Sequence, residues 1–313
     1  MSPSSATAYA PATVANLGPG FDILGLALAA PGDTVTVQQA EQPGITLLEI
    51  TGDGGALPTD PHKNTACVAA DWVLRAVAPN RGIALRLEKG LPLASGLGSS
   101  AASAVAAAVA TNALFGGPLS RQQLLPACIE AEARVSGRHA DNVAPALLGG
   151  IVLVTGLTAK DIFPLPVPPN LFLAIVSPNV AVPTSEARAA LPDSVPLRTM
   201  VHQTAQVALL IHALHQGDIA LLARAAAGDR VVEPARAHLM PHLREAQATA
   251  REAGALATLI SGAGPTLCAF CDSAQAAQRV AEGLTTFYES RHIPATAQST
   301  TVAREGARLL RLE

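Results

Sequence analysis

Gly96, Gly98, Ser99 and Ser100 stand directly before an alanine-rich run, within Leu91-Pro-Leu-Ala-Ser-Gly-Leu-Gly-Ser-Ser-Ala-Ala-Ser-Ala104. Glycines let backbone amides approach an anion closely, a helix starting there adds positive dipole character, and serine hydroxyls bind phosphate oxygens or Mg²⁺. Such a loop suits the holding of a triphosphate. The GxxxxGK[ST] pattern is absent and no acidic residue follows at Rossmann spacing, so this is neither a Walker loop nor a dinucleotide fingerprint. Taken alone, the stretch also reads as a glycine turn with serine caps.

Further groups of residues set polar chemistry in apolar surroundings. Asn16 and Asp22 lie between the turn signals of the stretch 12–25, where a tight hairpin is the alternative. His139, Asp141 and Asn142 crowd into four residues before an apolar, glycine-containing segment, where the alternative is a solvated loop. Asp141 is the one carboxylate of that group and is placed to take a proton. Glu130 and Glu132 stand two apart on an expected helix, so they point to different faces and one of them at most serves a metal. Arg188 and Arg236 sit in Pro183-Thr-Ser-Glu-Ala-Arg188 and in the stretch 228–236, and Ser261-Gly-Ala-Gly-Pro-Thr266 forms a second glycine-rich turn. The pairs His212/His215 and His238/His242 bring no Cys or carboxylate set of metal-ligand type.

The phosphate-loop stretch resembles that of the GHMP kinases, whose pattern Pro-x-x-x-Gly-Leu-Gly-Ser-Ser-Ala is met by Pro92, Gly96, Leu97, Gly98, Ser99, Ser100 and Ala101. Four other stretches, around Asn16 and Asp22, 136–150, Arg188 and Arg236, are similar to the motifs of the homoserine kinase branch, in the same order. The resemblance implies ATP and Mg²⁺ as cofactors and L-homoserine as the phosphate acceptor, with O-phospho-L-homoserine as product on the threonine branch. A mevalonate- or sugar-type GHMP kinase, or a nucleotide-binding relative without catalysis, is the alternative. By the same resemblance the nucleotide is held by Pro92, Leu93, Ala94, Ser95, Gly96, Leu97, Gly98, Ser99, Ser100, Ala101 and Ala102. Ser100 and Glu132 hold the metal, with Glu130 as second candidate. Asn16, Asp22, His139, Asn142, Arg188 and Arg236 bind the substrate, the two arginines forking onto its carboxylate. Asn142 aligns the hydroxyl, and Asp141 is the second catalytic candidate. The segment from Glu132 to His139 is one residue shorter than the family's usual spacing.

These residues need elements to hold them. Thr34–Val37, Ile45–Ile50 and Ile83–Leu87 alternate as strands, while 64–77 and 101–114 read as helices. Asn64 serves either as a helix cap or as part of an adenine pocket. Ser120 with Gln123 predicts a capping box and a helix ending near Gly137. Ile151–Thr155 reads as a strand, and the proline-rich Phe163–Asn170 suggests a join near residue 160, giving domains 1–160 and 161–313. Beyond it come an apolar strand at 171–176, helical stretches at 198–227 and 234–253, and strands flanking 261–266. This α+β pattern accords with the GHMP kinase fold that the resemblance implies, an N-terminal domain like ribosomal protein S5 domain 2 followed by a ferredoxin-like C-terminal domain.

Composition narrows the partners. With 313 residues, 49% of them hydrophobic, a sizeable core is expected. A net charge of −3 and 21 Lys plus Arg leave no broad cationic surface for nucleic acid or anionic lipid. Cys67, Cys128, Cys268 and Cys271 lie in apolar stretches and are expected as buried thiols. The first ten residues lack the pattern of a signal peptide and no apolar run reaches the ~18 residues of a membrane span, so a cytoplasmic protein is expected. A homodimer is the assembly that the resemblance implies.

Overall fold

The computed structural model describes residues 3–313. Strand β1 (Ser5–Ala15) buries every second residue as far as Ala10 and is then buried throughout. It pairs antiparallel with the long β2 (Leu24–Ala40), whose other edge takes β4 (Gly82–Glu88). Between them in sequence, β3 (Gly44–Thr51) and helix α1 (Thr65–Val77) form a crossover, so that β3 lies parallel to β4. Helix α2 (Ser99–Leu114) follows the phosphate loop. Twelve of its sixteen residues are buried, and a helix apolar on all sides belongs inside a core. Its alanines let it pack against α1, α3 (Arg121–Glu132), β1 and β2. Helix α4 (Val143–Leu148) then leads into β5 (Ile151–Val154) and β6 (Ile162–Leu165).

The later part begins with β7 (Phe172–Pro178) and runs through α5 (Thr184–Ala189), α6 (Leu197–Gln216), α7 (Ile219–Ala226), α8 (Val232–Arg236) and α9 (Leu243–Ala253). Strands β8 (Ala257–Ile260) and β9 (Leu267–Cys271), helix α10 (Ala274–Glu289), β10 (Ala295–Thr301) and β11 (Arg308–Leu312) complete the chain. Four of these strands make an antiparallel sheet in the order β10-β7-β9-β8. One face of this sheet packs on a core that includes Leu284 and Tyr288, while Phe270 on the opposite face joins the core of the first sheet.

The division of the chain differs from the expected 1–160 and 161–313. Strands β5 and β6 pair with each other and β5 with β2, so the first sheet runs past the expected join to Leu165. The last strand, β11, returns to pair with β1, making that sheet seven-stranded. Hydrogen bonding of a long exposed edge decides this, and edges carry no local sequence signal.

Helix limits also shift. Helix α2 starts at Ser99, ahead of the alanine run, because Gly98 takes the left-handed N-cap conformation. The capping box of Ser120 and Gln123 is present, but α3 ends at Glu132, short of Gly137. The stretch 198–227 is split where Gly217 adopts φ +69° and Asp218 accepts from Leu221 N at 2.9 Å, starting α7. The stretch 234–253 is split by a 3₁₀ turn at Ala237–Leu239. All four cysteines are buried, and burial raises each thiol's pKa, as reduced core residues require.

Candidate active site

The first turn of α2 faces a cavity that both sheets border. Gly98, its N-cap, has no side chain, and among the described residues no other side chain caps the helix. The leading N–H groups of α2 are thus left to a ligand, where the helix dipole favours an anion. Gly96 and Gly98 have φ of +81° and +63°. A Cβ on Gly98 would overlap Thr13 Oγ1, and one on Gly96 would overlap the Ser261 carbonyl oxygen, so both positions require glycine. Ala94 also has positive φ, +50°, and the Ser95 hydroxyl donates to Pro92 O at 2.9 Å, closing the turn from within. The Ala94-Ser95 pair therefore has a structural role.

The second glycine-rich turn braces this loop from the other sheet. Ser261 Oγ donates to Gly96 O at 2.7 Å, and Thr266 N donates to Ser95 O at 3.1 Å. A buried ion pair supports the loop from below. Lys89 Nζ pairs with Asp33 and donates to Ser99 O at 3.0 Å and Ser103 Oγ at 2.9 Å. Asp33 Oδ1 accepts from Gly90 N and Leu91 N at 3.0 and 3.2 Å. Burial pulls the Lys89 ammonium below the ordinary lysine range, and Asp33 opposes that shift.

The two glutamates separate as their spacing requires. Glu130 turns outward to an ion pair with Arg138 at 2.6 Å. Glu132 turns inward, where Oε1 accepts from Ser100 Oγ at 3.0 Å and from the Ser136 hydroxyl. Its Oε2 is buried and has no partner among the described residues, as is the neighbouring Ser99 Oγ. Burial raises the Glu132 pKa, while the Ser136 and Ser100 hydroxyls and His139 lower it. An orphaned carboxylate oxygen beside two serine hydroxyls is an all-oxygen donor set, which fits a hard divalent cation.

The opposite wall is charged. Asn16, Leu17 and Asp22 all have positive φ (77°, 50° and 59°), and Asn16 Oδ1 accepts from Asp22 N at 3.2 Å. Asn16 Nδ2 and Arg236 Nη1 both donate to Gly262 O, at 3.1 and 2.9 Å. Arg236 is buried, and its Nε donates to Ala187 O at 2.9 Å. Arg188 forks onto Asp22, with Nη1–Oδ2 at 3.2 Å and Nη2–Oδ1 at 2.9 Å. The two arginines expected to face a substrate carboxylate thus both line the cavity, but one already holds a carboxylate of this chain. The Phe21 ring lies between them, 5.4 Å from the Arg188 guanidinium and 5.2 Å from that of Arg236.

Between the two walls stand His139, Asp141 and Asn142. His139 Nε2 meets Ser136 O at 2.8 Å, and its Nδ1 is 3.7 Å from Asp22 Oδ2. Asn142 Oδ1 accepts from Thr13 Oγ1 at 2.7 Å, beside Gly98. Burial, with Asp22 and Glu132 nearby, pushes the Asp141 pKa up to about 7, and Arg188 partly opposes this. Its Oδ1 is buried without a partner among the described residues. Asn64 lines the cavity, but its side chain is spent on the N-cap of α1, accepting from Ala66 N and Cys67 N and donating to Pro58 O.

One cavity therefore gathers every residue expected to bind substrate, Asp141, and both expected metal ligands, Ser100 and Glu132. The loop residues Leu93 to Gly96 and Gly98 to Ser100 line it as well. Leu97, Ala101 and Ala102 pack into the core behind them, and Pro92 and the outward-turned Glu130 stay off the lining. Sequence reading missed Thr13, Phe21, Ser136 and the Lys89–Asp33–Ser103 cluster. Thr13 and Phe21 lie within a quoted motif and were legible as neighbours of Asn16 and Asp22. Lys89 and Asp33 are 56 residues apart and carry no motif.

Comparison with known proteins agrees with this geometry. Residues 64–150 match the family model of the GHMP kinases N terminal domain, and residues 210–290 that of the GHMP kinases C terminal domain. A homoserine kinase of Arabidopsis thaliana is 44% identical over 313 residues, covering 98% of this chain and 85% of that protein. One from Chloroherpeton thalassium is 40% identical over 316 residues, covering 97% and 99%. The crystal structure of a homoserine kinase from Cytophaga hutchinsonii superposes with a TM-score of 0.94 at 40% identity, covering 98% of each chain. Mevalonate kinase from L. major, in complex with R-mevalonate, shares the fold, with a TM-score of 0.75 at 18% identity over 94% of each chain.

Proposed function

The chain belongs to the homoserine kinases of the GHMP kinase family, and from that premise we infer that it transfers the γ-phosphoryl group of ATP to the side-chain hydroxyl of L-homoserine, giving O-phospho-L-homoserine and ADP. The observation that supports this most is one cavity with an uncapped helix N-terminus on one wall and paired charges of both signs on the other. The first wall suits a polyphosphate, and the second suits a zwitterion.

Phosphoryl transfer demands an in-line hydroxyl and neutralised phosphate charge more than it demands covalent chemistry. The N–H groups at the start of α2 and the hydroxyls of Ser99 and Ser100 bind the phosphates. Glu132 and Ser100 hold Mg²⁺, which supplies positive charge to the phosphate oxygens when bound. Asn142, fixed by Thr13, holds the homoserine hydroxyl next to the start of α2. The hydroxyl proton leaves late in this reading or passes directly to the phosphoryl group, with no dedicated base required unless a side chain accepts it. Asp141, next in chain to Asn142 and with a proton affinity near neutrality, is the side chain suited to take it. Arg236 and Arg188 bind the substrate carboxylate, and Asp22 with Asn16 binds its ammonium group. His139 borders that ammonium site. The family resemblance makes a homodimer the expected assembly, which sedimentation of the purified protein checks.

The test is ADP release measured in parallel with L-homoserine, L-serine, mevalonate and galactose. Homoserine is expected to exceed mevalonate and galactose in kcat/KM by at least about 100-fold, since a site built to pair an amino group rejects ligands lacking one, and to exceed L-serine, one methylene shorter, by about 10- to 200-fold. Mevalonate or galactose turning over faster than homoserine would overturn the reading.

A further inference from the structure

We propose that Gln203, on helix α6 and outside the cavity lining, is a positioning residue for the acceptor half of the site. Its carboxamide ties the loop that carries Asn16 and Asp22 to the turn that leads into the helix carrying Arg236. The inference rests on the homoserine reading above and adds what holds that wall in shape.

The loop 16–22 needs support from outside itself. Asn16, Leu17, Gly18 and Asp22 stand at positive φ, 77°, 50°, 81° and 59°, and all but Gly18 carry a side chain. Left-handed backbone persists at such residues only where the surroundings fix it. The root of the loop is fixed by Asn16, whose Nδ2 donates to Gly262 O and whose backbone N donates to Leu24 O. The tip rests on the later half of the chain. A Cβ on Gly18 would fall 1.9 Å from Ala226 O, so the tip lies directly against the end of α7. Among the described residues, one side-chain hydrogen bond reaches the tip: Gln203 Nε2 donates to Pro19 O at 3.2 Å.

The same carboxamide holds the approach to α8. Nε2 also donates to Asp229 Oδ1 at 2.8 Å, and Oε1 accepts from Arg230 N at 3.2 Å. Asp229 in turn accepts from Val231 N, Val232 N and Glu233 N, at 2.9, 3.1 and 2.8 Å. Those bonds set where α8 begins, and hence where Arg236, its last residue, is placed. Arg236 and Asn16 then meet on one acceptor, Gly262 O. Gln203 therefore joins the outer ends of two segments whose inner ends already meet at the cavity.

The chemistry of the amide suits this task. Pro19 O and Asp229 need N–H donors while Arg230 N needs an oxygen, and a carboxamide supplies all three at once. A glutamate keeps the oxygen but has no proton for Pro19 O and sets a second carboxylate beside Asp229. A leucine of similar size loses all three bonds. None of these bonds runs to the phosphate loop, which is braced instead by Ser261 and Thr266. Loosening Gln203 therefore displaces the acceptor wall and spares the nucleotide.

The test compares wild type with Gln203→Leu and Gln203→Glu. It measures kcat, KM for L-homoserine and for ATP, and ATP affinity by titration calorimetry, with a thermal melt to confirm folding. In each variant KM for homoserine is expected to rise about 10- to 100-fold, the cost of shifting its binding groups by about 1 Å, while KM and Kd for ATP stay within about twofold. A purely structural brace lowers the melting temperature without that split, so equal changes in the two KM values, or an unchanged KM for homoserine, overturn the proposal. Glutamate is close to glutamine in size, so that variant decides the matter if the leucine variant does not fold. If neither folds, Gln203 is a structural brace and the proposal falls. Failure of wild-type enzyme to phosphorylate homoserine is a separate result and sinks the function itself.

Discussion

Asp141→Asn isolates the cost of burying a carboxylate in this cavity. In the folded chain its pKa is pushed from the ordinary 3.8 up to about 7, first by burial and then by Asp22 and Glu132. That is about three powers of ten in proton affinity, or about 4 kcal/mol at about 1.36 kcal/mol each. The folded state holds this proton more tightly than the unfolded one, so stability falls as pH rises between the two values. The associated stabilisation is full below pH 3.8, drains away through about pH 7 and is then spent. An amide at this position cannot titrate, so the variant escapes this loss. Any fixed cost of accommodating the amide cancels when two pH values are compared. From about pH 5 to about pH 8 the stability of the variant relative to wild type is expected to rise by about 3 kcal/mol. Urea melts at half-unit pH steps, without nucleotide or substrate, measure it. A difference that is flat with pH, or that falls toward the alkaline end, would refute the claim that Asp141 is buried as an acid. The same variant bears on mechanism: loss of nearly all kcat with both substrates still bound would show that the hydroxyl proton needs this carboxylate.

Two further perturbations address the phosphate wall. Gly98→Ala places a Cβ against Thr13 Oγ1 at a backbone φ of +63°. The strain alone is about 1–2 kcal/mol, and because it displaces both the loop and the Thr13–Asn142 bond, KM for ATP is expected to rise at least about tenfold with kcat falling as well. Unchanged steady-state constants would show that the α2 start does not hold the phosphates. Glu132→Gln removes the charged oxygen that lies buried and unpartnered among the described residues. The Mg²⁺ concentration for half-maximal activity is expected to increase by about 10- to 100-fold while the melting temperature at neutral pH holds or rises, since the native carboxyl is itself disfavoured as an anion. An unaltered Mg²⁺ requirement would remove Glu132 from the metal site.

Much of the site was legible because its signals are local. Pro92 to Ala102 announces an anion loop through glycine freedom and a helix start, and both are properties of adjacent residues. The spacing of Glu130 and Glu132 already required that they diverge, and the fold selected Glu132 by setting it against Ser100. The capping box at Ser120 and the buried cysteines follow in the same way from short-range rules.

What stayed hidden depends on separation along the chain. The Lys89–Asp33 pair spans 56 residues and Ser261–Gly96 spans 165, so no window of sequence contains either contact. Strand β11 joins the first sheet because an edge of β1 needs a hydrogen-bonding partner, which the composition of β11 does not reveal. Arg188 is the sharpest case. The family resemblance implies a carboxylate fork at this arginine, whereas residue type alone leaves phosphate, carbonyl and aromatic partners equally open. Which carboxylate it holds was decided by the fold, which brings Asp22 from 166 residues away to within 2.9 Å of it.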